Sequence, residues 1–161
     1  MSSIKLIIPV TPKPKGSVKA GKWSFYNPSA RGMKLVRDAV EKSLPPNWKP
    51  LEGPLLVICH FKMPTRLQTS GKKRQAINQH PHCIRPDGDN LEKFLNDSLN
   101  GLLWYDDSSI VWLLRSKTYT ADKEGSTILF VKELPNDVPD YAALFADLGE
   151  HINLEARNVC Y

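Results

Sequence analysis

Apolar residues recur along the chain in two rhythms, one of period two and one of period 3.6. Ile4 to Ile8 is a β-branched and apolar run that stops at Pro9, and it predicts a first strand. From Pro28 to Leu44 the apolar residues Met33, Val36 and Val40 fall at helical spacing. Asn27 serves there as a cap, Pro28 suits the first turn, and Pro45-Pro46 stops the helix. Leu55 to Phe61 is mostly apolar and reads as a buried strand. Asp89 to Leu99 is helical, with Leu91, Leu95, Leu99 and the flanking Phe94 forming an apolar stripe and Gly101 as its stop. Ile110 to Tyr119 and Thr127 to Val131 read as two strands joined by a polar turn over 122–125. The first of them has little polar face, which makes it the candidate for burial in the core or at an interface. From Pro135 the composition changes, and Tyr141, Leu144, Phe145 and Leu148 fit a short amphipathic helix.

Two long connectors interrupt this pattern. Residues 9–27 carry Pro9, Pro12, Pro14, Gly16 and Gly21 among lysines, with Trp23, Phe25 and Tyr26 interleaved. Residues 63–86 read as a loop holding Pro64, Gly71, Pro81, Pro86 and the basic cluster Lys72, Lys73, Arg74. A connection this long in a small domain is functional or mobile. The order β, α, β, long loop, α, β, β, α predicts an α/β or α+β fold: a single domain with a small mixed β-sheet flanked by helices. The domain is expected over 1–133, followed by a helical C-terminal extension over 134–161.

Composition narrows the class without naming it. The 161 residues are 41% hydrophobic and 24% charged, which excludes disordered, collagen-like and coiled-coil chains. No apolar run approaches the ~20 residues of a membrane span. The N-terminus lacks the order of a signal peptide, and three cysteines make no disulfide framework. An intracellular, cytoplasmic protein that is not secreted is expected.

Charge changes the picture more. The net +5 divides into +13 over residues 1–86, with 16 of the 22 bases and three acids, and −8 over 87–161, with six bases and 14 acids. A basic half suits a polyanion, because each neutralised phosphate releases counterions. Lys13, Lys15, Lys19, Lys72, Lys73, Arg74 and Arg85 are the candidate contacts to such a polyanion.

The candidate chemistry lies in Arg85-Pro86-Asp87-Gly88-Asp89-Asn90-Leu91-Glu92-Lys93. Asp87 or Asp89 caps the following helix, and Gly88 lets the backbone turn between them. Two aspartates around one glycine exceed what capping needs and supply paired hard oxygen ligands for Mg²⁺ or Mn²⁺. An EF-hand loop fails, because Leu91 and Glu92 stand where an oxygen ligand and a glycine belong. A phosphatase D-x-D would follow an apolar strand, and residues 80–86 make a poor one. Asp89, Lys93 and Asp97 share one helical face, and Asp106-Asp107 adds a second acidic pair after Trp104-Tyr105. His80, His82, Cys83, Cys59 and His60 match no standard zinc spacing.

Taken together, the Arg85–Lys93 run, Asn96-Asp97-Ser98-Leu99-Asn100-Gly101 and Trp104-Tyr105-Asp106-Asp107 resemble the core of the RusA-type Holliday-junction resolvases. Pro12-Lys13-Pro14-Lys15-Gly16, Tyr26-Asn27-Pro28 and Phe61-Lys62-Met63-Pro64 are similar to that family's opening loop, helix entry and second strand, so the resemblance spans about residues 4–133. It implies a homodimeric, Mg²⁺-dependent endonuclease acting on four-way DNA junctions, with Mn²⁺ a possible substitute ion. By position it implies Asp87, Asp89 and Asp107 as catalytic metal ligands and Lys93 as a catalytic lysine, with Asp106 and Asp97 as further acidic positions. Ser17 and Val18 stand where many relatives carry arginine, and residues from Leu134 have no counterpart in the family core. A DNA-binding protein of the same fold, or a nuclease of forks or flaps, is the alternative reading.

Overall fold

Strand β1 (Ser3–Ile8) is followed by the two-residue strands β2 (Lys19–Ala20) and β3 (Phe25–Tyr26), helix α1 (Ala30–Glu41) and strand β4 (Leu55–Pro64). Helices α2 (Gly71–Ala76) and α3 (Gly88–Leu99), a 3-10 turn (Asp107–Ser109), β5 (Ile110–Thr120) and β6 (Ser126–Glu133) complete the order. This computed structural model describes residues 2–17, 19–20, 25–65, 69–137 and 143. The predicted helix around Tyr141, Leu144, Phe145 and Leu148 lies outside the described residues, as does Trp23.

Four strands form one mixed sheet in the order β1-β6-β4-β5. β4 runs parallel to β5 and antiparallel to β6, and β1 pairs antiparallel with β6. A parallel pair needs a long crossover, and residues 65–109, including α2 and α3, supply it. The expected α+β domain with a mixed sheet is the observed one.

The sheet is helix-covered on one face, and period two decides which side chains go there. Leu55, Val57, Cys59, Phe61 and Met63 of β4 join Leu6, Ile8, Leu129 and Val131 beneath the helices. Val36 and Val40 of α1 and Leu91, Phe94, Leu95 and Leu99 of α3 close over them, so both predicted stripes point inward. Each of these buried side chains contributes roughly 1.5–3 kcal/mol relative to exposure. On the opposite face Leu56 and Leu134 are buried, with Ile58, Trp112, Leu114 and Phe130 partly buried beside them.

Several boundaries differ from the sequence pattern. β4 extends to Pro64 because neighbours on both sides carry its ladder past the apolar run. α1 starts at Ala30 after Ser29, and Asn27 caps the entry turn instead, its Oδ1 accepting from the Ser29 N–H at 2.9 Å. The loop over 63–86 contains α2, whose N-cap Ser70 accepts from the Lys73 N–H. β5 is the edge strand beside β4, with Val111 57% exposed, and residues 79–82 bond its outer edge only near its end.

Candidate functional site

The turn entering α3 is shaped by a cation from the sheet. Lys117 Nζ on β5 donates to the carbonyls of Ile84 (2.7 Å) and Pro86 (2.6 Å), so the residues just before Asp87 are held against the strand. The Arg85–Pro86 peptide is cis. Asp87 then takes the N-cap position with φ −70° and ψ 145°, and its main-chain oxygen accepts from the Leu91 N–H. Its side chain makes no capping bond. Asp89 follows in the first turn, where the exposed N–H groups and helix dipole favour a carboxylate. Gly88 between them lets the Arg115 side chain approach closely, since a Cβ there would lie 3.0 Å from Arg115 Nε and 3.3 Å from its Cδ. Arg115 in turn pairs with Glu92, one turn further along α3. Neither Lys117 nor Arg115 emerged from the sequence; the signal available was two bases at period two following the apolar start of the strand, Ile110 to Leu114.

Further along the helix the predicted acid–base–acid face divides. Lys93 is exposed and has no hydrogen bond or ion pair among the described residues. Asp97 pairs with Lys15 Nζ, while the Lys15 N–H donates to the Asn90 carbonyl at 3.0 Å. Lys15 therefore ties the proline-lysine loop to α3. The helix C-terminus is sealed by Arg37, which donates to the Asn100 carbonyl at 2.8 Å, and by Trp104 Nε1, which donates to Asn100 Oδ1 at 2.6 Å. Trp104 is wholly buried, and it fixes where the second acidic pair begins.

That pair splits into two tasks. Asp106 caps the 3-10 turn, its Oδ1 accepting from the Ser108 N–H at 2.8 Å, and bonding to the Ser108 side chain first, then to that N–H, holds its carboxyl below the usual carboxylate range. Asp107 is exposed and its carboxylate has no partner among the described residues.

The uncommitted carboxylates are thus Asp87, Asp89 and Asp107, a donor set that fits a hard divalent cation in its chemistry. Among the described residues no three His, Cys, Asp or Glu side chains converge on a metal position. β5 meets the first turn of α3 at Arg115, and the five steps from Ile110 to Arg115 span ~17 Å.

The other candidate ligands are dispersed. Cys59 and His60 are neighbours on a strand and point to opposite faces. Burial, with the Glu92 charge adding to it, pushes the Cys59 thiol up to about 12. His60 bonds the hydroxyls of Ser116 (2.7 Å) and Thr118 (3.1 Å). His82 is buried with its ring centroid 4.6 Å from that of Tyr119, and burial first, then the Lys117 charge, lowers its pKa. Of the candidate DNA contacts, Lys72 and Lys73 project from α2 and are exposed, whereas Arg74 is half-buried and donates to the Thr69 carbonyl at 2.7 Å. Lys13 and Arg85 are exposed, and Lys19 lies in β2.

A search of curated proteins finds no match to this chain. The profile of the endodeoxyribonuclease RusA family matches residues 8–128, a span that runs from the end of β1 into β6 and takes in every acidic position named above. No helix among the described residues is long and apolar enough to cross a membrane. Nucleases of this family depend on a divalent metal ion and act on branched DNA. With most of its length matched and the D-x-D turn set at the head of α3, the chain belongs to the RusA family of Holliday-junction endodeoxyribonucleases.

Proposed function

We propose that the chain resolves four-way DNA junctions inside the cell, in the cytoplasm, as a homodimer that makes paired Mg²⁺-dependent nicks, Mn²⁺ serving in place of Mg²⁺. The observation that carries this reading is the pair of uncommitted carboxylates at the head of α3, where Asp87 occupies a capping position without capping. A carboxylate at an N-cap normally satisfies a backbone N–H and gains ~1 kcal/mol by doing so. Leaving that bond unmade keeps both oxygens for another ligand.

Asp87, Asp89 and Asp107 would hold the ion, which when bound lowers the pKa of a water and offsets phosphate charge. Lys93, one turn on from Asp89, places a positive charge where the phosphate gains negative charge, or orients the attacking water. Lys72, Lys73, Lys13 and Arg85 would grip the backbone without reading bases.

Dimerisation would complete the ligand set, because the described residues of one chain do not gather Asp107 with Asp87 and Asp89 into a group of three ligands. Residues 79–82 cover the outer edge of β5 at 117–119, and β5 stands at the edge of the sheet beside β4. A second copy added antiparallel on that edge, about a dyad near Leu113, would set residue 111 of one chain opposite 115 of the other. Asp107 of each chain would then approach the other chain's D-x-D turn. Two sites related by a dyad match two symmetric nicks.

Labelled junction, fork and linear duplex DNA, incubated with Mg²⁺, Ca²⁺ or EDTA, test the reading. Paired nicks on the junction with Mg²⁺ alone are expected, along with a mass in light scattering about twice 18.2 kDa. Asp89→Asn should abolish cleavage and leave junction binding intact or tighter. Near wild-type cleavage by that variant removes Asp89 from the site, and preferential cutting of forks reassigns the substrate.

A further inference from the structure

We propose that a cleft between the proline-lysine loop and the start of α1 takes one unpaired nucleotide from the branch point of the DNA. The inference rests on the nuclease reading above and adds a binding site to it. The cleft has a volume of about 360 Å³, with Lys13 and Arg31 on its rim, Pro14, Pro28 and Leu35 in its walls and Phe94 in its floor. Among the described residues no acid lines it.

Its two chemistries lie side by side. Lys13 and Arg31 are exposed cations, suited to one phosphate, and the first turn of α1 beside them has no acid to oppose an anion. Leu35 is 50% exposed, an apolar surface that a solvent-facing helix has no reason to present beside two charges. Gly32 keeps the floor open, because a Cβ there would lie 3.0 Å from Phe94 Cζ and 3.9 Å from Lys13 Cδ. A paired base cannot reach such a wall, since its faces are covered by the stack. An unpaired one presents an apolar face to Leu35 and the prolines while its phosphate meets Lys13 and Arg31.

Position makes the cleft relevant to cleavage. Phe94 directly follows Lys93 on α3, and the loop that carries Lys13 is fastened to α3 through Lys15, which bonds both Asn90 and Asp97. The cleft and the Asp89–Lys93 face therefore belong to one rigid body. A nucleotide held there would choose which phosphodiester is offered to the carboxylates.

The test uses the full chain in Ca²⁺ with a four-way junction carrying 2-aminopurine at the branch point, and a linear duplex carrying the same base. Wild type should raise the junction's fluorescence as the base leaves the stack. Leu35→Ser, a neutral change at a half-exposed position, should remove that rise and weaken junction binding about five- to tenfold, with duplex affinity within about twofold of wild type. Leu35→Met should keep the signal. An unchanged fluorescence rise in Leu35→Ser, or equal weakening on both DNAs, would overturn the cleft as a nucleotide site while Mg²⁺-dependent junction cleavage still stood. Failure of wild type to bind or cut either DNA would instead overturn the nuclease reading, and this site with it.

Discussion

Replacing Lys117 by methionine should loosen the turn that presents Asp87 and Asp89 without touching either carboxylate. The ammonium donates to two carbonyls, at 2.7 and 2.6 Å, and both bonds are lost. A hydrogen bond from a charged donor is worth roughly 1.5–3 kcal/mol, and at this half-buried position the lower end applies. The turn is therefore destabilised by about 2–3 kcal/mol. Electrostatics acts in the opposite direction, because removing a cation favours a nearby Mg²⁺. At a separation of about 8 Å in water that gain is near 1 kcal/mol for a divalent ion, and ~0.1 M salt halves it. Positioning wins by about 2 kcal/mol, so the Mg²⁺ concentration giving half-maximal cleavage should rise on the order of tenfold to thirtyfold. The Tm should fall by about 4–8 °C. Mg²⁺ titrations of junction cleavage and calorimetry measure the two quantities. Lys117→Arg, which retains donors and charge, should restore most of the Mg²⁺ response. A half-saturating concentration equal to or below wild type in Lys117→Met would show that charge, not the held turn, governs the site, and the positioning argument would be refuted.

Three further outcomes are expected. Changing both Lys72 and Lys73 to glutamine should weaken duplex and junction binding alike and reduce the log–log salt slope by about 1.8, read by anisotropy titrations; a preserved slope would mean that neither contacts phosphate. Gly125→Ala should lower stability by about 3 kcal/mol in calorimetry, since overpacking rigid neighbours has few escapes; its Cβ would meet the Lys62 carbonyl oxygen and lie 2.8 Å from both Pro12 Cδ and Pro64 Cδ. Cys59, with its folded-state pKa raised to about 12, contributes stability that is complete below its unfolded value near 9 and declines as pH rises from there toward 12. In urea titrations the advantage of wild type over Cys59→Ala should shrink by up to about 1.4 kcal/mol per pH unit across that window, and a constant gap would place the thiol in water.

Local order in the sequence determined much of this protein. The apolar run of β4 and the 3.6-residue stripes of α1 and α3 follow from which residues must leave water, so Val36, Val40, Leu91, Leu95 and Leu99 were legible as core before any partner was known. The Pro-Asp-Gly-Asp turn was equally legible, because proline, glycine and a helix start constrain the backbone over a few residues. Element ends were not, since β4 reaches Pro64 through its ladder with β5, where Pro64 pairs with Thr120, 56 residues away. The short α2 was missed because it buries no side chain and so leaves no periodic trace. The site shows the same division. Sequence spacing gathered Asp87, Asp89, Lys93, Asp106 and Asp107 into one motif, yet spacing along a chain is not distance in space. Only the tertiary structure brought Lys117 and Arg115 of β5 against the D-x-D turn. Side chains distant in sequence meet where the parallel β4–β5 pairing directs them, and that pairing depends on the whole core being buried at once.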